Sequence, residues 1–164
     1  MKRLAEVSDA VDRVVARCDA ITNNDPIKRW VLGDTRDKSG DMKKLVSKSK
    51  TNAPSLTRAH SKDPEYSVGQ VIDLPPKSFS SNDPYQKGGG DSEWRPLVHK
   101  SLIHVPNPRR GFDIPHRDYG IDVAGENETV LAGKYKVHHK DMVDEPHTNG
   151  QRKVPRYHLT EIDE

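Results

Sequence analysis

The sequence predicts a small, irregular α+β fold: an N-terminal amphipathic helix, an extended basic arm with loops, and a small antiparallel β region at the C-terminus. Three observations predict it. An unbroken heptad stripe runs through residues 4–21. Charge then changes sign in blocks, and β-branched runs punctuated by Pro and Gly gather in the later part of the chain. Apolar material is scarce throughout: 32% of the 164 residues are hydrophobic and the mean hydropathy is -0.92. Leu, Ile, Val and Phe together number 33, which sits near the composition at which chains fail to bury enough surface to fold. The net charge is only +2, so the obstacle is a thin core and not self-repulsion. Ordering each residue costs about 1–2 kcal/mol of backbone entropy, and burial against a partner is the usual remedy.

The N-terminal region, residues 1–27, carries Leu4, Val7, Val11, Val14, Cys18 and Ile21 at alternating spacings of three and four. That is the a/d pattern of a helix-on-helix seam. Asn23, Asn24, Asp25 and Pro26 are expected to stop the helix. An isolated helix of roughly 18–20 residues is marginal in water unless its stripe is buried. The stripe therefore predicts oligomerisation or docking.

Residues 28–62 carry ten basic residues against three acidic ones, a net of +7. Lys43, Lys44, Lys48, Lys50 and Arg58 mark a basic extended arm. Its Ser/Lys/Thr/Asn-rich part, 47–61, reads as linker-like, with one or two helical turns before it at 41–46. No aromatic residue is interleaved in 47–61, which disfavours stacking on single-stranded bases.

Residues 63–93 reverse the sign, to a net of -4. They read as one short strand ended by Pro75-Pro76, then a Gly/Pro-rich loop. Residues 94–164 balance eleven basic against eleven acidic residues. Strands are expected at 97–105, 121–123, 129–137 and 154–159, with Gly133 marking a bend or bulge. Arg109, Arg110, Phe112, Arg117 and Tyr119 form a basic–aromatic patch of the kind enriched in protein interfaces.

Few motifs carry chemistry. The single cysteine, Cys18, allows no intramolecular disulfide and lies on the apolar stripe. Gly88-Gly89-Gly90 lacks the Lys-Ser/Thr of a phosphate-binding loop. No apolar run approaches the roughly 20 residues that a bilayer span requires, and the first residues do not form a signal peptide. His138, His139, Asp141, Asp144 and His147 are dense in potential metal ligands. On a regular strand, however, His138 and His139 would face opposite ways, so no metal is expected. Two tripeptides, His99-Lys100-Ser101 and His158-Leu159-Thr160, resemble the paired signature of the two-histidine phosphoesterases. The resemblance covers six residues, and Lys100 and Glu161 stand where that family prefers apolar flanks. It implies acid–base histidines and phosphate-holding hydroxyls at these positions.

The sequence thus leads to the expectation of a non-enzymatic structural subunit of a large assembly. The style fits a minor virion protein of a bacterial virus, of the capsid cement, decoration or head-completion type. It would form homo-oligomers, bind a major structural protein such as that of a capsid, need no cofactor and touch no membrane. It would reside in the virion after assembly in the host cytoplasm, or otherwise in the cytoplasm. Linked modest contacts would supply its affinity. The alternatives are a nucleic-acid-associated component that uses the basic arm, and a two-histidine phosphoesterase or metallohydrolase.

Overall fold

Asp25 and Pro26, expected to end a helix, begin one. Asp25 adopts extended backbone and accepts hydrogen bonds from the amides of Ile27 and Lys28, at 3.0 and 3.1 Å. Pro26 opens the first turn, where its missing N–H costs nothing. The computed structural model describes residues 25–81, 99–115, 128–145 and 152–163. The heptad residues Leu4, Val7, Val11, Val14, Cys18 and Ile21 lie outside the described residues, as do Arg117, Tyr119 and the strand expected at 121–123.

The described chain contains two short helices, α1 (Pro26–Val31) and α2 (Asp41–Lys48). Six strands follow: β1 (Ser55–His60), β2 (Val71–Ser80), β3 (Ser101–Pro106), β4 (Phe112–Asp113), β5 (Glu128–Asp144) and β6 (Lys153–Glu161). They form one sheet in the order β2-β1-β3-β6-β5-β4, and β2 also pairs with β5. That extra pairing closes β2, β1, β3, β6 and β5 into a ring. The seam between β1 and β2 is its thinnest part, with the single pair Thr57↔Ser80.

This corrects the expected fold class. The architecture is led by a sheet and not by a helix, and the sheet is mixed because β3 and β6 run parallel. Two segments expected to be irregular belong to it. The Ser/Lys-rich stretch supplies β1, whose single fully buried apolar residue is Leu56. Pro75-Pro76 does not end β2 but lies inside it, at a shift in register between Leu74 and Lys77 where β2 pairs with β5. A bulge is where residues without an N–H can be tolerated in a ladder. Gly133, opposite Leu74, has φ +105° and supplies the matching bend.

The scarce apolar residues are concentrated on two faces. Leu56, Leu74, Phe79, Ile103, Leu131, Tyr135, Tyr157 and Leu159 belong to the cluster inside the ring. Trp30, Met42, Val46, Ile114, Val130 and Ala132 form a second cluster under the helices. β5 separates the two: Leu131 and Tyr135 face one cluster, and Val130 and Ala132 face the other. A strand buried on both sides reads as a continuous apolar run, which is why this one was legible.

Candidate functional site

Three strands meet at the thin seam. Ser80, the last residue of β2, pairs with Thr57 of β1 on one side and with Glu128, the first residue of β5, on the other. Arg58 follows Thr57. The cross-strand line thus holds Thr57, Ser80 and Glu128, and Arg58, next along β1, is near enough for the charge of Glu128 to act on it.

Arg58 alternates with Leu56 and His60 on one face of β1. Leu56 enters the core, so Arg58 and His60 point to the inner side of the ring near the strand's end. The Arg58 Nη1 donates to the carbonyl of Ser78 at 2.9 Å. Its Nε is buried without a hydrogen-bond partner. Burial lowers the pKa of Arg58, and the charge of Glu128 opposes that loss. Glu128 is itself oriented from the other layer, because the indole Nε1 of buried Trp30 donates to its Oε2 at 3.0 Å. The neighbouring carboxylate, Asp113 on β4, is engaged by two hydroxyls, Thr51 at 2.8 Å and Thr129 at 2.7 Å.

His60 completes this face. Burial lowers its pKa to about 4, helped by the positive charges of Arg58 and Lys77 and by His99. It is a neutral imidazole near pH 7, and its Nε2 is buried without a hydrogen-bond partner. The combination offers an anion anchor and one well-placed carboxylate in partial burial, where electrostatic effects are stronger than in water.

The residues singled out from the sequence are dispersed differently. Lys43, Lys44 and Lys48 lie on α2, where Lys43 reaches Asp73 at 3.5 Å. Lys50 forms an isolated bridge with Arg110. Arg58 alone of the expected basic arm enters the seam. Arg110 is knitted into the fold: its guanidinium donates to the carbonyls of Ala132 and Lys134, both at 3.1 Å, and stacks over Tyr135. The amides of Arg109 and Arg110 both donate to Glu161 Oε1, and Phe112 packs on the cluster under the helices.

The two resembling tripeptides do not converge. In the parallel β3–β6 pair, the residue aligned with His158 is His104, while His99 precedes β3. Ser101 is spent on the carbonyl of Lys62 at 2.7 Å. Around His158 gathers a different set: His104, His138 and His139 have ring centroids 5.2, 5.9 and 5.1 Å away. The expectation that His138 and His139 face apart fails for a physical reason. The β5–β6 register shifts between Val137 and His139, so His138 is an inserted residue and both rings flank His158.

Sequence reasoning missed Ser80, Glu128, Trp30 and His60. One signal was present. Leu56, Arg58 and His60 alternate with the period of a strand, placing two cationic side-chain types on the same face as a core leucine.

No family model matches the chain, and no curated protein matches it. Solved structures of similar outline include Plx2a, an ADP-ribosyltransferase toxin from Paenibacillus larvae. It aligns over 90% of this chain and 84% of its own, at 12% identity and a TM-score of 0.45. The Clostridium limosum C3 exoenzyme aligns over 90% and 82%, at 15% identity and a TM-score of 0.47. The enzymatic component C2-I of the C2-toxin from Clostridium botulinum aligns over 92% of this chain but 44% of its own, at 12% identity and a TM-score of 0.49. All three are named as enzymes, which runs against the expectation of a non-enzymatic virion subunit. Among the described residues there is also no coiled coil.

Proposed function

We propose that this chain is an enzyme that breaks the bond between a ribose and a cationic nitrogen leaving group, as in ADP-ribosyl transfer from NAD. The observation that carries this reading is the meeting of β1, β2 and β5 at Thr57–Ser80–Glu128, with Arg58 next along β1 and near enough to Glu128 for the two charges to interact; the outline likeness to the toxins carries none of the argument.

The chemistry follows from the charges. A guanidinium is the side chain best matched to phosphate oxygens. Arg58 anchors the diphosphate, its plane set by the bond to Ser78. A buried donor without a partner costs about 1–3 kcal/mol, which a phosphate acceptor would offset at Nε. Breaking a glycosidic bond develops positive charge on the sugar ring. Glu128 faces that charge, held in place by Trp30.

Ordinary glycosides need a second carboxyl group to protonate the leaving oxygen. A pyridinium leaving group needs none. The C1′–N bond breaks, its electron pair stays with the nitrogen, and nicotinamide leaves neutral. The acceptor's nucleophile then bonds to C1′ and gives up its proton, for which Glu128 is the available base. A carboxylate beside a guanidinium suits this leaving group.

The test is nicotinamide release from NAD, together with transfer of labelled ADP-ribose to protein acceptors. Glu128→Gln should lower kcat by about 100-fold or more, the scale of losing a transition-state electrostatic partner. Arg58→Lys should mainly raise KM, because a point charge replaces a planar fork. A wild-type protein that neither releases nicotinamide nor transfers label rejects the proposal.

A further inference from the structure

On the other face of the same ring lies a second constellation. Thr57, beside Arg58 but pointing the opposite way, shares a hydrogen bond of 3.1 Å with His104 Nδ1. His104 is aligned with His158, and His158 is paired with His139. Asp141, two residues along β5, returns to the same face and pairs with Arg156. Ligand atoms of His139, Asp141 and His158 all lie within 4.8 Å of one another.

We propose that His139, Asp141 and His158 form a site for a divalent transition-metal ion, with zinc the best match. Two imidazoles and one carboxylate are the donor set of three-ligand zinc sites that keep a fourth position open. Nitrogen donors favour zinc, nickel, cobalt or copper over magnesium and calcium, which prefer oxygen cages.

Without metal, His158 Nε2 and Asp141 Oδ1 are 3.0 Å apart and share a proton. Ligation through Nε2 moves that proton to Nδ1, so the imidazole binds the ion without losing it.

Arg156 forms the outer layer. Its Nε and Nη2 grip the two oxygens of Asp141 at 3.0 and 2.5 Å, which fixes the carboxylate's orientation. Its charge also repels the ion, so the site is weaker than a closed structural zinc site. The bulge at His138 is what makes the cluster: without it His139 would not stand opposite His158. The ion would clip β5 to β6.

The experiment titrates the full chain with Co²⁺ and follows visible absorption, then displaces it with Zn²⁺. We expect saturable binding of one ion, and loss of the absorption in Asp141→Asn and His139→Ala. His139 is exposed, so its variant should fold as the wild type does, which circular dichroism checks. Absence of saturable binding overturns the proposal. So does binding that survives unchanged in folded His139→Ala, which would place the ion on other histidines. Neither readout depends on NAD, so the result is independent of the function proposed above.

Discussion

Trp30 donates its indole proton to Glu128 from a different layer of the fold, 98 positions away in sequence. A hydrogen bond to a charged group is worth about 1.5–3 kcal/mol. Trp30→Phe keeps the ring in its buried seat but removes the donor. Steady-state kinetics with NAD should show kcat falling by about 10-fold or more with little change in KM, because the bond serves the carboxylate and not the phosphate anchor. His60 makes the corresponding prediction for pH. Its folded-state pKa of about 4 lies below the ordinary histidine value of 6.5. Between those values the unfolded chain binds more protons than the folded one. The stability contributed by neutral His60 is thus fully present above the unfolded value and is lost as pH falls toward 4. Urea unfolding midpoints should decline across that window, and less steeply in His60→Gln. At this scale the sequence was half legible. Arg58 was recognised as a cation but assigned to an arm, because only its pairing on β1 shows which way it points. The histidine cluster was noticed and then dismissed on a strand geometry that one inserted residue, His138, changes.

At the scale of elements, intrinsic preference located what packing dominates. The β-branched runs overlap β3, β5 and β6, although β5 runs on past its expected end at residue 137 to Asp144, and residues 41–46 lie in α2. β1 was missed because its burial pattern is nearly all intermediate, with Leu56 the one fully buried position. Such a strand is specified by its neighbours: it pairs with β3 over six positions, from Ser55↔Pro106 to His60↔Ser101. Asp25-Pro26 shows a different ambiguity. The same two residues can stop one helix and start the next, and only the hydrogen bonds from Ile27 and Lys28 decide. The ladder also predicts where the sheet is weakest. β1 and β2 share one pair, whereas β5 and β6 share nine. Native-state hydrogen exchange should therefore find the amide protons at the β1–β2 seam opening at lower free energy than those of the β5–β6 ladder. Uniform protection across both would contradict this topology.

For the whole molecule, closure of the ring is what creates the site. Arg58, Ser80 and Glu128 are contributed by segments that the charge pattern assigns to three different regions of the chain. They become neighbours only because β2 pairs with β1 on one side and with β5 on the other. No local signal carries that information, since the pairing spans some fifty residues and depends on the bulge that accommodates Pro75-Pro76. Closure also answers the scarcity of apolar residues. A ring encloses its core from all sides, and buried side chains of both clusters contact a shared strand, β5. The composition pointed to a partner for the missing burial; within the described residues the sheet supplies it by closing on itself.

In the proposed reaction Arg58 anchors and Glu128 carries the chemistry, and equilibrium binding of NAD separates the two roles most directly. Glu128→Gln, in which turnover is suppressed, should bind NAD with nearly wild-type affinity by calorimetry. Adding Arg58→Lys to that variant should weaken binding by about 10-fold or more. Failure of the Glu128→Gln protein to bind NAD, or binding indifferent to Arg58, would contradict the assignment of this seam as the active site.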